Sequence, residues 1–194
     1  MTAFLFVLSA LGNPIGNKAP DFKLRDTEGS THQLSQYEGK VVVLEWFNPG
    51  CPFVKYVHNN AIMNKKYETI IQEKTNEDNS VVWLAVNSSA VGKQGAGLKV
   101  NEQAREKWGL KYPVLLDETG EVGKQYNAMT TPQMYVINRK GVLVYAGALD
   151  NAPMGKASGK EEAYFDDALK AVLKGEAVQV AQTKPYGCSV KYAK

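Results

Sequence analysis

Runs of consecutive apolar residues alternate with amphipathic stretches along the chain. Val41 to Phe47 and Val81 to Val86 are apolar at nearly every position, which is typical of strands covered on both faces of a sheet. Between them, apolar residues recur at helical spacing and predict a helix from Cys51 to about Lys74. The helical register drifts at Asn59-Asn60, where we expect a kink.

The rest of the chain continues this alternation and predicts the order of the remaining elements. These are a hairpin over residues 22–34, a turn from Ser35 to Gly39, a Gly-rich loop over 88–99, a helix near 102–108, a strand at 114–117, a helix at 121–126, a hairpin of 134–138 with 142–146, and a helix ending at Gly175. This order predicts an α/β fold with a central mixed sheet and helices on both of its faces.

Length and composition narrow the class of protein. The 194 residues are 44% apolar and 22% charged, and no tract of 18 apolar residues could span a bilayer, so we expect one soluble globular domain. The formal charge is +3 and the lysines are dispersed, so we expect no nucleic-acid partner.

The chain divides into three predicted regions: an apolar N-terminal segment (1–15), a domain (16–175) and an extended tail (176–194) that carries Cys188. Ala3 to Leu11 is similar to the apolar centre of a secretory signal, but no Lys or Arg precedes it and no clean cleavage site follows. We favour an exported, periplasmic location over a cytoplasmic one. The alternative is a segment packed on the domain surface.

Cys51 is the candidate nucleophile. It lies where the first apolar strand gives way to a helix, and the free backbone N–H groups and dipole of a helix N-terminus favour thiolate. Pro52 suits the first helical turn because its missing N–H needs no partner there. We expect an exposed thiolate at the helix end, and Lys55, one turn later, would favour the thiolate further. The alternatives are a small buried residue at 51 and an ordinary solvated lysine at 55.

Two further ionisable residues are candidates for chemistry. Glu45 is a carboxylate within the first apolar strand, and burial would suit it to proton transfer near neutral pH. The alternative is a residue at the sheet edge in a hydrogen bond or salt bridge. His58 follows Cys51 by two helical turns, but His58 with two remote cysteines forms no standard zinc spacing. We therefore expect a surface or packing histidine and no metal. Trp46, Phe47 and Trp83 are assigned to the core, with no cofactor implied.

Three motifs resemble the redoxin branch of the alkyl hydroperoxide reductase and thiol-specific antioxidant superfamily. They are residues 40–55, 130–137 and 186–192, and the similarity extends from about Gly16 to the C-terminus. The resemblance implies a thioredoxin-like fold with an N-terminal hairpin. The chain departs from the best-understood members, because Val54 replaces the second cysteine of Cys-x-x-Cys, and Leu44 and Asn48 replace the proline and hydroxyl residue of the peroxidatic motif.

The resemblance also implies roles for individual residues. Cys51 would attack a peroxide or a protein disulfide, Cys188 would resolve the oxidised cysteine, and Glu45 would relay protons. Pro52, Asn48, Thr131 and Pro132 would contact substrate, with Pro132 in a cis peptide facing the thiol. An external thiol reductant would supply electrons without a bound cofactor.

Three alternatives to this assignment remain open. A cysteine pair formed between subunits would require a homodimer. A structural Cys51–Cys188 disulfide in a non-catalytic, binding or metallochaperone-like domain, or an unpaired Cys188 that serves packing, would remove the catalytic cycle.

Overall fold

The computed structural model describes residues 15–72 and 81–194. In chain order the strands are β1 (Lys23–Asp26), β2 (Thr31–Gln33), β3 (Val41–Trp46), β4 (Val81–Asn87), β5 (Val114–Leu116), β6 (Thr130–Thr131), β7 (Gln133–Ile137), β8 (Leu143–Gly147) and β9 (Cys188–Ser189). The α-helices are α1 (Pro52–Asn59), α2 (Ile62–Gln72), α3 (Leu98–Trp108), α4 (Glu121–Gln125) and α5 (Tyr164–Lys174), and short 3-10 turns cover Leu34–Tyr37 and Pro153–Gly155.

Seven strands form a mixed sheet in the order β2-β1-β5-β4-β3-β7-β8. The central strand β3 pairs in parallel with β4 and antiparallel with β7. Alternate residues of β3 point to opposite faces of the sheet, as strand geometry requires. Val43 packs in the cluster that contains α1, α2, α3 and α5, and Leu44 packs with α4 and the N-terminal hairpin. The predicted α/β architecture is confirmed.

The long helix predicted after Cys51 is wrong in its middle, where the chain breaks instead of kinking. Ala61 has a φ of 55°, a left-handed conformation that a helix cannot continue through. The Asn60 side chain also donates a hydrogen bond to the Tyr56 carbonyl at 2.8 Å, which satisfies the end of α1. The predicted end at Lys74 lies outside the described residues.

Helix α3 begins earlier than the predicted residue 102. Leu98 and Val100 in its first turn are apolar but exposed, and their spacing of two is not that of a buried helical face, so the sequence pattern did not indicate a helix there.

The tail is extended, as predicted, but it is paired with the domain. β9 forms an antiparallel pair with β6, in which Thr131 lies opposite Cys188. The backbone N–H of Val190 donates to the Met129 carbonyl, and that of Ala90 donates to the Lys191 carbonyl. The tail therefore crosses the carboxyl end of the sheet beside Cys51.

Two findings concern the predicted regions of the chain. Of the apolar segment at 1–15, only Ile15 is described, and it packs against the second core cluster. Among the helices that the structure describes, none is both long and apolar enough to cross a bilayer.

Candidate active site

Cys51 is the N-cap residue of α1, and Pro52 occupies the first helical turn, as the sequence predicts. The predicted exposure of Cys51 is wrong, however, because the residue is 0% exposed. Its Sγ lies 3.0 Å from the Thr131 carbonyl oxygen, to which the thiol donates. The cover comes from elements distant in sequence: the Thr131-Pro132 loop, which has the expected cis peptide, and the tail strand β9 paired with it.

The two cysteines are free thiols that interact with each other, and their environments favour different protonation states. Burial opposes ionisation of Cys51, but hydrogen bonds from Cys188, Thr131 and nearby backbone N–H groups outweigh it and lower the pKa of Cys51. Burial and the neighbouring Cys51 raise the pKa of Cys188 to about 11. Cys51 therefore ionises first, while Cys188 retains its proton and donates to the thiolate.

Thr131 has a second polar atom at this site. Its Oγ1 is buried near Cys51 and has no hydrogen-bond partner among the described residues. A hydroxyl can donate to a thiolate more strongly than to a thiol, because the acceptor is then charged. The Thr131 side chain is thus placed to stabilise ionised Cys51, while its carbonyl accepts from the protonated form.

Gly187 makes the close approach of the tail possible. A Cβ atom at this position would lie 2.1 Å from the Thr131 carbonyl oxygen, and the φ of Gly187 is +132°. Both observations require glycine. The residue therefore allows the backbone next to Cys188 to lie directly against the cis-proline loop.

Glu45 lies in the central strand rather than at a sheet edge. Its side chain is fully buried, with Oε1 2.8 Å from His58 Nε2 and Oε2 accepting a hydrogen bond from the Tyr112 hydroxyl at 3.2 Å. The His58 ring stacks on Trp108 with ring centroids 4.9 Å apart. His58 is thus a packing residue paired with Glu45. Within the part of the chain described, no group of three or more His, Cys, Asp or Glu is arranged to hold a metal ion.

Asn48, a predicted substrate contact, is engaged within the protein. Its Nδ2 donates to Ser89 Oγ at 3.0 Å and to the Gln94 carbonyl at 2.9 Å, and its Oδ1 accepts from the Gly50 N–H at 2.7 Å. Both amide hydrogens are used, so Asn48 orders the turn before Cys51 and has no spare donor for a substrate.

The sequence analysis gave no individual role to three polar residues near the site. Gln133 Oε1 accepts from the N–H groups of Met129 and Thr130, which shapes the cis-proline loop. Asp150 accepts a hydrogen bond from Tyr186, two residues before Cys188. Gln133 was detectable as a polar residue at the start of an apolar strand, whereas Asp150 and Tyr186 are 36 positions apart and left no local signal.

The family model described as Redoxin matches residues 14–164, which include the whole sheet and Cys51. The chain belongs to the Redoxin family. Its β9 strand and Cys188 lie beyond the matched residues.

Relatives of this redoxin carry names from two kinds of thiol chemistry. It is 33% identical over 128 residues to "Thiol-disulfide oxidoreductase ResA" of Geobacillus thermodenitrificans, covering 66% of this chain and 65% of that protein. It is 26% identical over 141 residues to "Peroxiredoxin Q, chloroplastic" of Triticum aestivum, covering 67% of this chain and 57% of the relative. The chain thus spans less than two thirds of either relative.

A solved structure matches nearly the whole redoxin. It is an uncharacterized conserved protein from Geobacillus kaustophilus, 28% identical, with a TM-score of 0.79 and coverage of 94% of both chains. The match therefore extends to the tail region that the family model leaves out.

Proposed function

We propose that this redoxin is a thiol-dependent oxidoreductase that reduces peroxides or disulfides by cycling Cys51 and Cys188 between dithiol and disulfide. The observation that carries the proposal is the pair itself. The Cys51 thiol donates to the Thr131 carbonyl, Cys188 is paired with Thr131 in the β6–β9 ladder, and the two free thiols shift each other's pKa in opposite directions. A nucleophile with a lowered pKa beside a protonated thiol is what a two-cysteine cycle requires.

With a hydroperoxide, the Cys51 thiolate attacks the terminal oxygen and the O–O bond breaks. The alcohol or water leaves after taking up a proton, and Cys51 becomes a sulfenic acid. The Cys188 sulfur then attacks the Cys51 sulfur, a disulfide forms and water leaves. An external thiol reductant supplies two electrons and two protons to restore both thiols, so the cycle needs no bound cofactor.

With a disulfide substrate, the thiolate attacks one sulfur and the other leaves as a thiol after protonation. Cys188 then attacks the Cys51 sulfur of the mixed disulfide and releases the second substrate thiol. Because Cys188 reaches Cys51 within one chain, the proposed cycle requires no homodimer. Export of the protein stays a prediction from the apolar N-terminal segment.

Glu45 is proposed to exchange protons during this cycle. Its burial in β3, on the same face of the sheet as the cluster that contains Cys51, supports the assignment. The hydrogen bond with His58 supports a structural role equally, so the two roles are separated by the Glu45→Gln experiment. Thr131 and Pro132 are proposed to contact the substrate, since their loop borders the sulfur.

Intact-mass analysis after stoichiometric hydrogen peroxide tests the proposal. Wild-type protein should form a Cys51–Cys188 bond that dithiothreitol reverses, whereas Cys188→Ser should accumulate sulfenic and then sulfinic acid at Cys51. Cys51→Ser is the matched control and should consume no peroxide. Parallel stopped-flow mixing with hydrogen peroxide and with a disulfide substrate identifies the preferred oxidant.

Two outcomes would contradict the proposal. Absence of any linkage between the sulfurs under every oxidant would remove Cys188 from the cycle. A bond that resists reduction in the folded protein would favour the alternative, a binding domain with a structural disulfide.

A further inference from the structure

The segment that precedes Cys188 is attached to the same helix that carries Cys51. The Tyr186 hydroxyl donates a hydrogen bond of 2.6 Å to Asp150 Oδ1, and its ring packs against Phe53 with ring centroids 6.0 Å apart. Tyr186 lies two residues before Cys188, and Phe53 lies two residues after Cys51. The two cysteines are therefore flanked by a second contact between the same two segments.

Asp150 is itself fixed in place. It follows β8, and its Oδ1 also accepts the N–H of Ala152 at 2.8 Å. Asp150 and Tyr186 line a cavity of about 300 Å³ together with Tyr56 and Met154. Burial and the bond to Asp150 raise the pKa of Tyr186 well above its ordinary value, so the phenol stays a hydrogen-bond donor throughout the physiological range.

These contacts bear on access to Cys51. Gly187 and the β6–β9 pairing place Cys188 on the Thr131 loop, and Cys51 beneath is 0% exposed. We propose that Tyr186 and Asp150 form a latch that holds Cys188 over Cys51, so that protein disulfides reach Cys51 only after the latch opens. The inference rests on the proposed function and adds a size selection at the same site.

The physical reason is the space that each oxidant needs. Because Cys51 is 0% exposed, a hydroperoxide also needs its cover to move, but a local shift of side chains admits its small terminal oxygen while Cys188 stays latched and ready to attack the sulfenic acid. A disulfide must align two sulfurs with Cys51 and carries polypeptide with it, so β9 has to leave first. Tyr186 and Asp150 are positioning residues, because they act through Cys188 and the tail.

The test compares reagents of two sizes at Cys51 in the reduced, full-length protein. Reaction at Cys51 with hydrogen peroxide and with a maleimide carrying a 5-kDa polyethylene glycol is followed by peptide mass mapping. Tyr186→Phe keeps the ring and removes one hydrogen bond to a charged acceptor, which should raise the rate with the bulky maleimide about tenfold. The rate with peroxide should change by less than about threefold, since latch opening is not its limit.

Tyr56→Phe is the matched control, because it makes the same change in the same cavity outside the tail, and both rates should stay at the wild-type level. Asp150→Asn keeps an acceptor oxygen but removes its charge, so it should raise the rate with the bulky maleimide by less than Tyr186→Phe does. Asp150→Ala should behave as Tyr186→Phe does, and the double variant should be no more reactive than either. Near-UV circular dichroism checks that each variant is folded.

The latch proposal is overturned if Tyr186→Phe leaves unchanged the ratio of the maleimide rate to the peroxide rate at Cys51, or if Tyr56→Phe raises this ratio equally. These rates do not require turnover. Failure of wild-type Cys51 to react with peroxide or disulfide would refute the proposed function, whereas the maleimide comparison would still report whether the latch covers Cys51.

Discussion

Gly187 offers the sharpest test of how the tail is held. In Gly187→Ala the new Cβ would lie 2.1 Å from the Thr131 carbonyl oxygen and 2.8 Å from its carbon, and both atoms belong to the backbone. The φ of +132° adds strain of about 1–3 kcal/mol for a residue with a side chain. If this strain alone opposes docking of the tail, the ratio of docked to undocked protein falls about five- to 150-fold.

The assay measures how oxidised Cys51 divides between disulfide formation with Cys188 and over-oxidation. After a pulse of hydrogen peroxide, intact mass gives the fraction of Cys51–Cys188 disulfide and the fraction over-oxidised at Cys51. We expect Gly187→Ala to form the disulfide at least about fivefold more slowly and to accumulate sulfinic acid, because Cys188 no longer lies against the sulfenic acid.

Gly159→Ala is the control, since Gly159 also has a positive φ, +99°, but nothing lies within 4 Å of its Cβ position. That variant should partition as wild type does. Unchanged disulfide formation in Gly187→Ala would show that the close contact with Thr131 does not position Cys188, and the reasoning from geometry to resolution would fail.

Three further predictions concern the charged groups of the site. The rate of Cys51 alkylation against pH should have a midpoint below the ordinary cysteine pKa of about 8.5, because hydrogen bonding favours the thiolate. Cys188→Ala should raise that midpoint, because it removes one hydrogen-bond donor. A wild-type midpoint at or above about 8.5 would contradict this prediction. Glu45→Gln keeps shape and should shift the pH–rate profile of peroxide or disulfide turnover while the unfolding midpoint moves little; an unchanged profile with a large loss of stability would make the carboxylate structural. His58→Ala removes one of the two hydrogen-bond partners of the buried Glu45 and leaves Tyr112, so it should lower the free energy of unfolding in urea by about 1–3 kcal/mol. A loss below about 1 kcal/mol would show that Glu45 does not need the hydrogen bond to His58.

Local sequence patterns determined the main elements of this redoxin. Val41 to Trp46 and Val81 to Val86 form buried strands because runs of β-branched and apolar residues must be covered on both faces. The placement of Cys51 and Pro52 at a helix start could be predicted because N-terminal preferences act over one turn. Resemblance to redoxins added the cis peptide before Pro132, which base rates alone would not support.

Only the tertiary structure decided the state of the reactive groups. Cys51 is buried by the carbonyl of Thr131, 80 positions away, and by a tail strand that no periodicity assigned to that place. Glu45 is paired with His58 because a strand and a helix pack face to face. The exposure, pKa and hydrogen-bond partners of a side chain depend on which distant segments of the chain contact it, and local hydrophobic patterns carry no information about those contacts.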